Sequence, residues 1–138
     1  MFKTSGGKYI APQLIENKLK ESVIIEQVMV VGEGQKYASA LIVPSYAGLQ
    51  DWCQFKGISY TSEEDMITKP EVIDKFQREV DKANEGLAQY ETIKKFRLLP
   101  KMWTIETGEL TPKLSVKRRV ITANYGHLIE SMYAEKHF

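Results

Sequence analysis

Val23-Ile24-Ile25-Glu26-Gln27-Val28-Met29-Val30-Val31-Gly32-Glu33-Gly34-Gln35-Lys36-Tyr37-Ala38-Ser39-Ala40-Leu41-Ile42-Val43-Pro44 is the stretch on which the fold turns. Its first half is rich in β-branched residues, which suit extended backbone, and reads as one strand, bulged or broken around Glu26-Gln27. Gly32-Glu33-Gly34-Gln35 has the composition of a turn. Tyr37–Val43 is a second strand, which Pro44 ends, so the segment predicts an antiparallel hairpin.

Helical patterns lie on both sides. Upstream, Pro12 pre-sets the first turn of a short helix running to about Glu21, with Leu14, Ile15 and Leu19 along one side. Downstream, Tyr46 to Lys56 reads as a helix with Leu49, Trp52, Cys53 and Phe55 near one face and Gly57 as its C-cap. Glu63-Glu64-Asp65 reads as a solvated acidic loop. Thr68-Lys69-Pro70-Glu71 has the form of a capping box. Beyond it Val72, Ile73, Phe76, Val80, Ala83 and Leu87 keep helical spacing for about five turns.

Phe96-Arg97-Leu98-Leu99 is a short third strand closed by Pro100, and Lys101–Glu109 suggests a small ribbon around Trp103. Arg118–Tyr125 and Leu128–Glu135 read as one helix interrupted near Gly126, or as two short ones. The expected fold class is α+β: a small, mainly antiparallel three-stranded sheet with a β-hairpin, flanked by helices.

The 138 residues fit one domain, and with 43% hydrophobic residues they can build a core. A net charge of +1 gives no global field toward nucleic acid or an anionic membrane. Apolar runs reach about five residues against the ~20 of a spanning helix. The first residues lack the apolar stretch of a signal peptide. The single cysteine, Cys53, excludes an internal disulfide and fits a reducing compartment, so a soluble, cytoplasmic domain is expected. Cys53, Trp52 and Trp103 read as packing residues. His127 and His137 are too few and too separated for a metal site, so no metal ligand is assigned.

Two segments carry more Gly, Pro and Lys than packing requires. One is Lys3-Thr4-Ser5-Gly6-Gly7-Lys8-Tyr9-Ile10-Ala11-Pro12; the other is Gly108-Glu109-Leu110-Thr111-Pro112-Lys113-Leu114-Ser115-Val116-Lys117-Arg118-Arg119. Paired glycines allow a positive φ or close approach of a ligand. The spacing is not that of a phosphate-cradling P-loop. The bland reading of Gly6-Gly7 is a flexible turn. Lysines on a Pro-containing loop can offer a point charge to phosphate or carboxylate, although a solvated basic stretch with Arg118 and Arg119 on the surface is the ordinary alternative. The glycine segment starts almost at residue 1 with no strand or helix before it, which suggests a chain cut from something larger.

Gly-Gly-Lys-Tyr-Ile-Ala-Pro-Gln-x-Ile-Glu followed far downstream by Gly-Glu-Leu-Thr-Pro resembles the C-terminal domain of an AMP-forming acyl-CoA synthetase. Among these it is most similar to long-chain fatty-acid–CoA ligases, over residues 3 to 133. The resemblance implies that residues 1–138 form a mobile lid, the large N-terminal domain that binds ATP, magnesium and the acyl group lying elsewhere. Gly6, Gly7, Lys8 and Tyr9 would border the path of the CoA thiol. A lysine on the second loop would reach the acyl carboxylate and the α-phosphate during adenylation, supplying a cation where two anions meet.

In the family pattern that lysine falls where this chain has Ser115. A lysine two positions earlier, Lys113, would lie about 6–7 Å away on the same side of an extended loop. Lys113 is therefore the expected adenylation lysine, with Lys117 the other candidate and loss of adenylation the third reading. The implied cofactors and partners are ATP, CoA and magnesium in the full enzyme, its own N-terminal domain, and a fatty acyl-adenylate. Nucleic acid is not among them, and peripheral membrane association of the full enzyme stays open. The rival is a standalone α+β module binding RNA or protein through its hairpin and basic stretch; the sheet lacks the aromatics of an RNA-binding surface.

Overall fold

A computed structural model describes residues 1–134. Strands β1 (Phe2–Lys3) and β2 (Tyr9–Ile10) form a small ribbon, and helix α1 (Pro12–Leu19) follows. Strands β3 (Ile25–Val31) and β4 (Ala38–Pro44) form the hairpin, then come α2 (Tyr46–Lys56), α3 (Glu63–Met66) and α4 (Pro70–Asn84). A 3₁₀ turn at Gln89–Glu91 leads into β5 (Ile93–Leu98), and α5 (Arg118–Asn124) and α6 (Gly126–Tyr133) end the described chain. The expected α+β class holds. The expected end of the last helix at Glu135, and His137, lie outside the described residues.

The hairpin is antiparallel, Val30 facing Ala40, and its register shifts between Ile25 and Gln27, where the sequence places the bulge. There the Gln27 side chain takes a strand's role. Its Nε2 donates to the Trp103 carbonyl at 2.9 Å, and its Oε1 accepts from the Trp103 N–H at 2.7 Å. The expected ribbon at Lys101–Glu109 is absent for this reason: Trp103 pairs with a side chain, and Thr104 and Thr107 close a turn just beyond it.

The third strand begins earlier than its apolar residues suggest and joins β4 in parallel, Ala40 facing Phe96. With the β1–β2 ribbon counted, two of three strand pairings among the described residues are antiparallel. A long crossover makes the parallel pairing possible: α2, α3 and α4 carry the chain back to the starting edge. Asn84 fixes its return, donating to the Ile93 carbonyl at 3.0 Å and accepting from the Ile93 N–H at 2.8 Å.

Both faces of the sheet are covered. Val28, Val30, Ala40 and Ile42 pack with Ile15, Leu49, Phe76 and Val80 of the helices on one side. Met29, Val31, Leu41 and Val43 pack with Leu99, Trp103, Ile121 and Met132 on the other. That double burial explains why Val28-Met29-Val30-Val31 of β3 and Ala40-Leu41-Ile42-Val43 of β4 are continuous apolar runs rather than alternating ones. A few side chains depart from the expected faces. Leu14 is 70% and Phe55 83% exposed; the buried residues of α1 are Pro12, Ile15, Glu16 and Leu19, and those of α2 are Leu49 and Cys53. Gly57, at φ 71°, ends α2 in the left-handed conformation as expected.

The acidic loop is instead the short helix α3, its Ser62 hydroxyl accepting from the Asp65 N–H. Consequently the capping box does not form. Thr68 donates its hydroxyl to the Asp65 carbonyl at the end of α3, leaving Pro70 alone to begin α4.

Candidate functional site

The glycine segment is a tight turn on a short ribbon. Phe2 faces Ile10 and Lys3 faces Tyr9, so a strand does precede the glycines, contrary to expectation. Buried Thr4 closes the turn: its N–H donates to the Lys8 carbonyl at 2.9 Å, and its carbonyl accepts from the Gly7 N–H at 3.0 Å. Gly7 sits at φ 84°, a conformation that favours glycine, whereas a Cβ on Gly6 would meet nothing within 4 Å among the described residues beyond its chain neighbours. The ribbon is latched to the hairpin turn by Ser5 N–H on the Gln35 carbonyl and Gly34 N–H on the Lys3 carbonyl, each 2.9 Å. Gly6, Gly7, Lys8 and Tyr9 are all exposed. The Lys8 ammonium lies 5.5 Å from the Tyr90 ring and that of Lys3 5.6 Å from Tyr9.

The lysine loop is a closed hairpin. Leu110 and Val116 form an antiparallel bridge. Within it Leu114 N–H donates to the Thr111 carbonyl, Thr111 N–H to the Ser115 carbonyl, each at 2.8 Å, and Ser115 N–H to Thr111 Oγ1 at 3.2 Å. Pro112 takes the first central position of the turn, where its fixed φ suits, and Leu114 at φ 65° completes the three-residue loop. Lys113, Ser115 and Lys117 are exposed. Because the loop is turned rather than extended, the expected same-side relation of Lys113 and Ser115 does not apply: Lys113 stands in the turn and Ser115 on the returning arm.

Two buried carboxylates hold the base of this loop; both stand in the quoted motifs, Glu16 at the end of the first and Glu109 in the second, but the sequence reading gave neither a role. Glu109 accepts from the Thr107 hydroxyl at 2.8 Å and from Asn124 at 3.4 Å, while its carbonyl accepts from the Lys117 N–H. Burial first, then the Glu109 charge, pushes the neighbouring Tyr125 phenol upward. Glu16 accepts from the Val30 N–H at 2.8 Å and takes a bidentate pair from Arg118, at 2.7 and 2.6 Å. Arg118 is thus half-buried and paired, not simply on the surface. The signal for Glu16 was present: it stands with Pro12, Ile15 and Leu19 on the inward stripe of α1, where a carboxylate requires a partner.

The pair connects the helix that follows the glycine ribbon with the residue that follows the lysine loop. A cleft of about 370 Å³ beside it is lined by Phe2, Pro12, Val31, Arg118, Thr122 and Tyr133. Among the described residues no group of three or more His, Cys, Asp or Glu side chains could hold a metal ion. No helix among them is long and apolar enough to cross a membrane.

A family model described as the AMP-binding enzyme C-terminal domain matches residues 2–137. The chain is 36% identical over 131 residues to the long-chain-fatty-acid–CoA ligase FadD15 of Mycobacterium tuberculosis, covering 94% of this chain and 22% of that protein. It is 32% identical to long-chain-fatty-acid–CoA ligase 1 of Homo sapiens, over 97% of this chain and 20% of that one. It therefore spans about a fifth of the length of these curated relatives. Among solved structures, the adenylation domain of a carboxylate reductase from Mycobacterium chelonae superposes with a TM-score of 0.77 at 22% identity, over 97% of this chain and 19% of that chain. The likeness is one of fold.

Proposed function

The chain belongs to the AMP-binding enzyme C-terminal domain family, and on that premise we propose that it is the mobile lid of an AMP-forming, long-chain acyl-CoA synthetase. The reaction is fatty acid plus ATP plus CoA giving acyl-CoA, AMP and pyrophosphate through an acyl-adenylate. In the first step the carboxylate attacks the α-phosphate and pyrophosphate leaves. The Lys113 ammonium lies between the two anions and stabilises the charge that develops there. In the second step the lid turns and offers the Gly6–Tyr9 ribbon. The CoA thiol loses its proton, attacks the acyl carbonyl along that ribbon, and AMP departs. ATP and magnesium are held by the large domain, and the fatty acid by its tunnel. The single buried cysteine suits an enzyme of the cytoplasm.

One observation carries the assignment: an exposed lysine at the tip of a hydrogen-bonded hairpin whose base is fixed by two buried carboxylates. Its test is fatty acid-dependent ATP–pyrophosphate exchange by the full-length enzyme with Lys113→Ala, Ser115→Ala and Lys117→Ala. A fall of ~10²-fold or more confined to Lys113→Ala is expected. A fall confined to Lys117→Ala moves the role to that residue. Unchanged exchange in both lysine variants rejects lysine-assisted adenylation by this loop.

A further inference from the structure

Leu114 combines two unfavourable features at one position. It is the only non-glycine residue among those described with a positive φ, 65°, and its side chain is 67% exposed. A Cβ crowds the carbonyl in this conformation, which is why the closing position of such three-residue hairpin loops usually holds glycine. Other exposed apolar side chains, such as Leu14, Phe55 and Ile73, stand on helices in ordinary backbone and need no account. Leu114 belongs to neither apolar core, so no burial of its side chain within the described chain offsets that strain. Glycine would close the same turn without either cost. Strain held at one exposed residue beside a functional side chain points outward, to a contact made only when the loop is engaged.

We infer that Leu114 is an apolar anchor that seats the lysine hairpin in a pocket of the enzyme's own large domain, fixing Lys113 beside it; this rests on the adenylation role proposed for the loop. Leu114 and Lys113 are adjacent on a turn closed by the Thr111–Leu114 and Thr111–Ser115 hydrogen bonds. Burying one therefore sets the place of the other. The large domain is the favoured occupant because the chain spans only about a fifth of its relatives' length, leaving most of such a protein to receive it. A lipid surface is disfavoured: one leucyl side chain is far smaller than the acyl chains that anchor proteins to bilayers, and the net charge is only +1. Leu114 is thus a positioning residue, acting through Lys113.

The test uses the full-length enzyme with Leu114→Gly, Leu114→Met and the lysine variants above. It reads ATP–pyrophosphate exchange, and separately the transfer of supplied acyl-adenylate to CoA. Leu114→Gly is expected to lower the exchange kcat by ~10-fold or more with KM for ATP and fatty acid little changed, the mark of a contact made on engagement. Thioester formation from supplied adenylate should stay at the wild-type rate, and Leu114→Met, which restores apolar volume, should recover most of the exchange. Wild-type exchange in Leu114→Gly, while a lysine variant collapses, overturns the anchor and leaves the lysine loop standing. Unchanged exchange in both lysine variants overturns the adenylation reading and the anchor together. Loss of binding to phosphatidylglycerol vesicles in Leu114→Gly, with exchange intact, would make Leu114 a lipid contact and reject the pocket.

Discussion

Replacing Arg118 by alanine removes two short, charge-assisted hydrogen bonds and leaves the Glu16 carboxylate on the Val30 N–H alone. The size of the effect follows from the surroundings of each partner. Breaking a fully buried pair costs about 3–5 kcal/mol, whereas an exposed pair is worth about 0–1 kcal/mol. Here the carboxylate side is 8% exposed and the guanidinium side 39%. Water can therefore reach the guanidinium but scarcely the carboxylate, and about 2–3 kcal/mol, between the two limits, is the expected loss. Against the ~5–15 kcal/mol total stability of an ordinary domain, that is a large fraction. Urea unfolding of the chain should show the midpoint falling by on the order of 1 M with the slope unchanged. Glu16→Gln, which keeps an acceptor for Val30, should lose less than Arg118→Ala. The double variant should then show a coupling of about 1–3 kcal/mol. A loss under ~0.5 kcal/mol for Arg118→Ala, the scale of a neutral surface change, or strict additivity in the cycle, refutes the claim that this pair holds the base of the lysine loop.

Other expectations are simpler. A Cβ on Gly48 would meet the Val23 carbonyl oxygen at 2.5 Å, so Gly48→Ala should destabilise by about 1–3 kcal/mol in the same assay; a wild-type midpoint would show that α2 can shift freely. Phe76→Ala empties a fully buried position and should cost about 3–5 kcal/mol, with a much smaller value meaning that the helical core collapses around it. Burial first, and then Glu63 and Glu64, pushes the Tyr46 phenol from 10.0 up to about 12, while its hydroxyl donates to the Pro100 carbonyl. A folded value above the unfolded one means stability is fully present below pH ~10 and declines as pH rises toward ~12. Tyr46→Phe should flatten that decline, and an unaltered slope would assign it elsewhere. Cys53 is wholly buried, and burial raises its thiol further from reaction. Maleimide should label it only as the chain unfolds; rapid labelling of the native protein would contradict its packing.

Sequence alone reached what depends on neighbours along the chain. The hairpin and its bulge, α2 with its glycine cap, and the break between α5 and α6 follow from β-branched runs, a left-handed glycine and a helix stop. It missed what depends on distant partners. The parallel docking of β5 is set by the length of the crossover and by Asn84 holding Ile93, neither of which leaves a local pattern. Thr68 looked like a cap because the residues after it fit, yet α3 ends just before it and takes its hydroxyl. At the candidate site, the segments were legible as motifs and Glu16 as a carboxylate on an apolar stripe, but the partners of the supports were not. Glu16 and Arg118 stand 102 positions apart, and the turned shape of the lysine loop arises from a leucine in a conformation that sequence assigns to glycine.

The two-sided sheet has a consequence for the chain as it is made. Residues up to Leu98 supply all three strands of the sheet and the helices of one face, but among the described residues the apolar side chains that cover the other face come later, from Leu99 to Tyr133. At ~5–20 residues per second, ribosomal synthesis of that last stretch takes roughly two to seven seconds. During that interval the side chains that will cover Met29, Val31, Leu41 and Val43 are still being made. The segment bearing the lysine loop is therefore also the cover of that apolar face, and a chain terminated before it is expected to expose the face and to aggregate more readily.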